Sequence, residues 1–175
     1  AELIRQHAAP PQPAAASPAA PPDAGEPAES SPASLPLEIK LSAARGELQK
    51  VVKWLRKGGA VNAFCPTTTR GGQPSASCLL HAAAANNHLE MVRELLKRGA
   101  SVDLQSSLGI TALMNAAAHG DLSILLVLLQ HSANPDLQTI HGVTALTQAA
   151  AYGHEACVKA LLQAKANTEL LDEDG

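Results

Sequence analysis

A chain of 175 residues with a formal net charge of −3 has room for one ordinary domain and exerts no global pull on nucleic acid or an anionic membrane. Trp54, Phe64 and Tyr152 are its only aromatics, so a core must be built from Ala and Leu, which suits closely packed helices. Cys65, Cys78 and Cys157 are odd in number and form no C-x-x-C, so they read as reduced thiols of an intracellular protein, cytoplasmic or nuclear. The longest apolar run, residues 124–129, is far too short to span a bilayer.

In chain order, the first region is residues 1–36, mostly Pro, Ala and Ser with a few acids. Pro removes backbone donors and Ala offers little surface to bury, so this stretch is expected to be a disordered linker with polyproline-II character. Its PPQP and PAAP match the P-x-x-P spacing of an SH3 ligand, and equally the composition of a plain spacer. Starting at Ala1 rather than Met, the chain reads as part of something longer.

From Leu37 the chain repeats itself. TALMNAAAHG at 111–120 returns as TALTQAAAYG at 144–153, a shift of 33 residues. Gly46, Asn87, Gly120 and Gly153 align. An apolar pair follows each after eight residues: Trp54-Leu55, Leu95-Leu96, Leu128-Leu129 and Leu161-Leu162. Asn62, Asp103, Asp136 or Glu169 follows after sixteen. Such a period marks a stack of like units. Each unit predicts two short helices. Thr111 and Thr144 are placed to cap the first helix, and the aligned Gly or Asn ends it with a left-handed turn. Asp121 is placed to cap the second helix, whose predicted buried face is Leu122, Leu125, Leu126 and Leu129. Gly99 ends a second helix in the same way. About ten residues rich in Asn, Pro, Asp and Gly then form a turn or hairpin.

The stretch CLLHAAAANNHLEMVRELLKRGASVD, residues 78–103, closely resembles the ankyrin repeat, whose pattern runs D-x-x-G-x-T-P-L-H-x-A-A-x-x-G-H, an apolar helix, then G-A-x-V-N. The resemblance implies an all-α ankyrin-repeat solenoid, helix–turn–helix units with β-hairpin or loop fingers, after the disordered N-terminal segment. The expected units are 37–64, a loop insertion at 65–77 that reads as a long, flexible hairpin tip or loop, then 78–105, 106–138 and 139–171, with DEDG at 172–175 opening a fifth. The first unit departs from the family pattern. It has LEIK in place of T-P-L-H and Trp54 in place of Leu, and its more polar first helix suits a solvent-facing cap.

Nothing in the pattern points to catalysis or a cofactor. TTTRGGQP lacks the G-K-[ST] of a phosphate cradle. His88 and His154 share one repeat position where the family commonly has His, and His81 matches the T-P-L-H histidine that braces turns by hydrogen bonds. Cys78 and Cys157 read as small buried residues, and Cys65, in the insertion, as a freely reactive thiol. In the family, partners usually bind the finger tips and the inner faces of the first helices. Carried onto this chain, the tips are Ser107, Leu108 and Ile110, then Ile140, His141 and Val143. The helix positions are Arg45, Asn86, His119 and Tyr152. The apolar tips read either as a contact patch or as packing between fingers. Arg56-Lys57 and Lys97-Arg98 form a basic stripe, either a solvated helix end or a dock for an acidic partner or lipid headgroup. The expected function is non-catalytic recognition of a protein partner by a monomeric module, or, alternatively, the regulatory or substrate-recruiting part of a larger enzyme such as a kinase or ubiquitin ligase.

Overall fold

The computed structural model describes residues 34–68 and 74–170. Residues 1–33 of the leader expected over 1–36, the tip at 69–73 and the opening of a fifth unit at 172–175 lie outside the described residues. Within them are eight helices in four pairs: α1 Leu37–Ala44 with α2 Leu48–Arg56, α3 Leu79–Ala85 with α4 Leu89–Lys97, α5 Ala112–His119 with α6 Leu122–Gln130, and α7 Ala145–Ala151 with α8 Glu155–Gln163. The odd helices stack on one another in chain order as one layer. The even helices form the second, with α4 on α6 and α6 on α8.

Local chemistry sets these lengths. Thr111 Oγ1 accepts the Met114 N–H at 3.2 Å, and Thr144 Oγ1 the Thr147 N–H at 3.2 Å, so both threonines cap as expected. Each first helix stops at a left-handed residue: Gly46 (φ 73°), Asn87 (φ 55°), Gly120 (φ 71°) or Gly153 (φ 73°). The second helices end alike, at Gly58, Gly99, Ser132 and Lys165, with φ between 62° and 95°. Ser132 and Lys165 hold this geometry with a Cβ, at a cost of about 1 kcal/mol each.

The core runs the length of the stack. Ala43, Ala83, Ala84, Ala116 and Ala117 have no exposed surface, and Leu79, Leu95, Leu125, Leu128 and Leu161 fill the space between them. The acids and amides sixteen residues past each turn tie neighbouring pairs together. Asn62 Oδ1 accepts the Ser101 N–H at 2.9 Å, Asp103 Oδ1 the Asn134 N–H at 2.8 Å, and Asp136 Oδ1 the Asn167 N–H at 2.7 Å.

Four expectations are corrected. Leu35, placed in the linker, is buried, and its N–H donates to the Phe64 carbonyl at 3.0 Å, so the folded part reaches back past Leu37. The insertion at 65–77, expected as a long hairpin tip or loop, takes the first form: β1 Cys65–Thr68 pairs antiparallel with β2 Pro74–Ser77, and Cys65 faces Ser77. Cys65 is therefore buried at the hairpin base rather than freely accessible, with its thiol 3.6 Å from the Pro66 carbonyl. The buried face of α6 is Ile124, Leu125, Val127 and Leu128, while Leu126 is 42% exposed. The face is shifted because α6 is covered by α5 and by even helices on both sides. Finally, Asp121 stands at the start of α6 but makes no side-chain cap bond, and its Oδ2 is buried without a hydrogen-bond partner. Burial raises its pKa, against the pull of His119 and His154.

Candidate recognition surface

The fingers are joined edge to edge. The Ala76 N–H donates to Ser107 Oγ at 2.9 Å, and the Ser107 N–H returns to the Ala76 carbonyl at 3.2 Å. One finger further on, the Ile140 N–H donates to the Leu108 carbonyl at 3.1 Å. Gln105 Nε2 bridges the Gly109 and Gln138 carbonyls, both at 3.0 Å. The approach is close enough that a Cβ on Gly109 (φ 75°) would lie 2.8 Å from the Thr139 Cα, so this tip requires glycine.

The row places the tip residues unequally. Ser107, Ile140 and His141 are exposed, Ile140 by 58% of its surface. Leu108, Ile110 and Val143 are half-buried, and Ile110 packs against the core, so these apolar tips are in part the mortar between fingers. With Thr139, His141 and Gln148 they line a hollow of about 190 Å³. A second hollow, of about 250 Å³, lies further along the same side and includes Lys40, Ser75, Ser77, Asn86 and Asn115.

Arg45, Asn86, His119 and Tyr152 all stand exposed at the ends of α1, α3, α5 and α7. Two are oriented by their own helices. Asn86 Nδ2 donates to the Ala82 carbonyl and the His119 Nδ1–H to the Asn115 carbonyl, each at 2.8 Å. Tyr152, 64% exposed, stacks on His154 with ring centroids 6.4 Å apart. Lys40, Ser75, Ser77 and Asn115 were not among the residues carried over from the resemblance. Asn115 was findable, since it lies one helical turn before His119 on the same face. The two serines come from the second strand of the hairpin, whose register with the first helices the sequence pattern did not reveal.

Three histidines, His81, His88 and His154, are committed to bracing. The Cys78 N–H donates to His81 Nδ1 at 3.2 Å, which leaves Nε2–H to donate to the Leu104 carbonyl at 2.8 Å. The Cys78 thiol is also 3.3 Å from Nδ1, the spacing of a nucleophile and its base. Burial works against that use: it pushes the Cys78 thiol up and lowers the His81 pKa, favouring the neutral form of both. Cys78 is 1% exposed, so no substrate reaches it. His88 Nε2–H donates to the Ala44 carbonyl at 2.8 Å and His154 Nε2–H to the Ala118 carbonyl at 3.1 Å, each reaching back to the preceding pair. Among the described residues, no group of three or more His, Cys, Asp or Glu is placed to hold a metal ion, and no helix is long and apolar enough to cross a membrane. On the basic stripe, Arg98 pairs with Glu94 at 2.7 Å.

Stacked helix pairs, fingers bonded into one row and three bracing histidines define a repeat-built scaffold with an exposed finger edge. The family described as ankyrin repeats (3 copies) matches residues 79–172, more than half of the chain. The chain belongs to the ankyrin-repeat family, which serves as a protein-interaction module. A comparison with curated proteins gave no match.

Proposed function

We propose that this array is a non-catalytic recognition module that holds one protein partner along the finger row and the ends of the first helices. The observation that carries the reading is the pair of large, outward-facing side chains on the last finger and helix, Ile140 and Tyr152. Neither is needed to fill the core, and an apolar group kept in water at a rigid edge is what a contact site requires. Arg45, Asn86 and His119 supply polar contacts along the same edge, and Ser107 and His141 along the tips. Leu108, Ile110 and Val143 support these from beneath. The bonded fingers keep the ordering cost of binding low. The module acts as a monomer inside the cell, a setting consistent with three free, buried cysteines.

The test is capture from cell lysate with the full chain as bait, beside the Ile140→Ser/Tyr152→Ala variant. Both sites are exposed, so both baits should melt alike. Partners held by the parent and depleted at least ~10-fold by the variant support the edge; a hot-spot aromatic at an interface is worth that much. Partners retained equally by both would move the site to the basic stripe or the hairpin.

A further inference from the structure

The first helix pair departs from the others at two matched positions. Trp54 stands where the other pairs have Leu95, Leu128 and Leu161, none of which has exposed surface. Gly59, five residues on, stands where they have Ala100, Ala133 and Ala166. A Cβ on Gly59 would run into the Trp54 ring, and Gly59 is not one of the left-handed glycines, so the indole rather than the turn requires it. The larger ring is admitted by the smaller neighbour. Trp54 is half-buried: it packs against the core and, with Ile39, lines a hollow of about 220 Å³ between α1 and α2.

The rest of the hollow is charged. Lys50, Lys53 and Lys57 line it together with Glu38. The three lysines recur at intervals of three and four residues, which sets them beside Trp54 on one face of α2. Where the other pairs bury Met91, Ile124 and Cys157, this pair exposes Lys50. Lys50 pairs with Glu47 at 2.7 Å, whereas Lys53 and Lys57 have no ion pair among the described residues. Elsewhere Arg93, Arg98 and Lys159 each have an acid within one turn. Like charges one turn apart destabilise a helix. Hydration and the C-terminal dipole account for lysines on such a face, but neither calls for an indole among them.

We propose that this hollow is a second docking surface, for an acidic protein segment that carries an apolar side chain between its carboxylates. The apolar side chain seats on Trp54 and Ile39, and the carboxylates pair with Lys53 and Lys57. Charge complementarity selects the acidic partner. The concave apolar floor and the Glu38 carboxylate in the same hollow favour a single inserted side chain over a flat anionic layer such as a membrane surface. The hollow shares no residue with the finger edge, so binding here is independent of binding there.

Trp54 is the sole tryptophan, so its emission in the full chain reports on this hollow alone. The probe is a blocked synthetic peptide of one leucine flanked on each side by three glutamates. The expected result is a saturable change in emission with half-saturation below ~1 mM. Lys53→Glu with Lys57→Glu should weaken it at least ~10-fold, and both sites are exposed, so this variant should melt as the parent does. Glu38→Gln should tighten it about 2-fold, a gain that a damaged fold would not give. A peptide with serine in place of the leucine should bind at least ~10-fold more weakly. No saturable change with the leucine peptide would overturn the proposal. So would equal binding of the serine peptide, since the lysines would then be a plain counterion surface. A change produced by phosphatidylcholine vesicles with about a third phosphatidylserine, but not by the peptide, would overturn it in favour of a membrane.

Discussion

The first and last helix pairs have the same backbone and opposite manners toward solvent. Both turn at a left-handed glycine, Gly46 and Gly153, and both carry a nine-residue second helix. The first pair puts Glu38, Lys50 and Lys53 on its helices and draws Leu35 in against its finger. The last pair keeps Ala150, exposed, Val158, half-buried, and Leu162, 46% exposed. The two pairs thus differ in a few side chains on one face, while turn geometry and the length of the second helix stay constant. This is what nearest-neighbour stability in a repeat array predicts: a pair folds as its neighbours do and differs only where a neighbour is missing.

The contrast between covered and uncovered positions can be tested first with the largest effect. Leu128 has no exposed surface. Leu128→Ala should lower stability by about 2–4 kcal/mol through the cavity it leaves, read as a shift of the urea midpoint. Leu162→Ala, at the uncovered end, should cost less than about 1 kcal/mol. Equal losses would erase the distinction between interior and end.

A smaller effect tests a link between glycine and histidine: a Cβ on Gly46 would lie 2.8 Å from the His88 ring of the next pair, and one on Gly120 would lie 2.6 Å from the ring of His154. Asp121→His alone should destabilise, because the Asn87 side chain occupies the place that Gly46 and Gly120 leave for a ring. Combined with Asn87→Gly it should gain, with a coupling of about 1 kcal/mol or more in a double-mutant cycle. The gain also removes a buried carboxylate oxygen that has no partner. A coupling near zero would mean that glycine and histidine are independent.

The smallest effect compares the ends of two second helices. Ser132→Gly should stabilise by about 0.5–1 kcal/mol by relieving the left-handed strain at φ 63°. Lys165→Gly relieves the same strain at φ 62°, yet it follows α8, which among the described residues is packed mainly by α7 and α6 and is expected to open before the interior. Its gain should appear as slower exchange near Gln163 with little change in the global midpoint. Equal shifts in midpoint would mean that the last pair unfolds together with the interior.

Much of the fold was legible because the repeat states each local rule several times. The left-handed turns at Gly46, Asn87, Gly120 and Gly153 and the caps at Thr111 and Thr144 each follow from one residue's own conformational preference. What escaped depends on partners distant in sequence. CPTTTRGGQPSAS shows no apolar alternation, so its strands at 65–68 and 74–77 are held by pairing with each other and by Ser107 on the next finger. Leu35 reads as linker by its neighbours Ser34 and Pro36, and its burial depends on Phe64. Asp121 has the type of a capping residue, but its side chain makes no cap bond to α6 and its Oδ2 is buried without a partner. In the recognition surface, the exposed ends of the first helices followed from alignment with the turn glycines. The half-burial of Leu108, Ile110 and Val143 did not, because it is created by one finger leaning on the next.

The bonds from Ala76 to Ser107 and from Leu108 to Ile140 give the recognition edge a fixed pitch. Stacked helices set successive fingers about 10 Å apart, and an extended chain rises about 3.3 Å per residue. The edge is therefore evenly graduated: each finger repeats the last at an interval that about three residues of any extended chain would span.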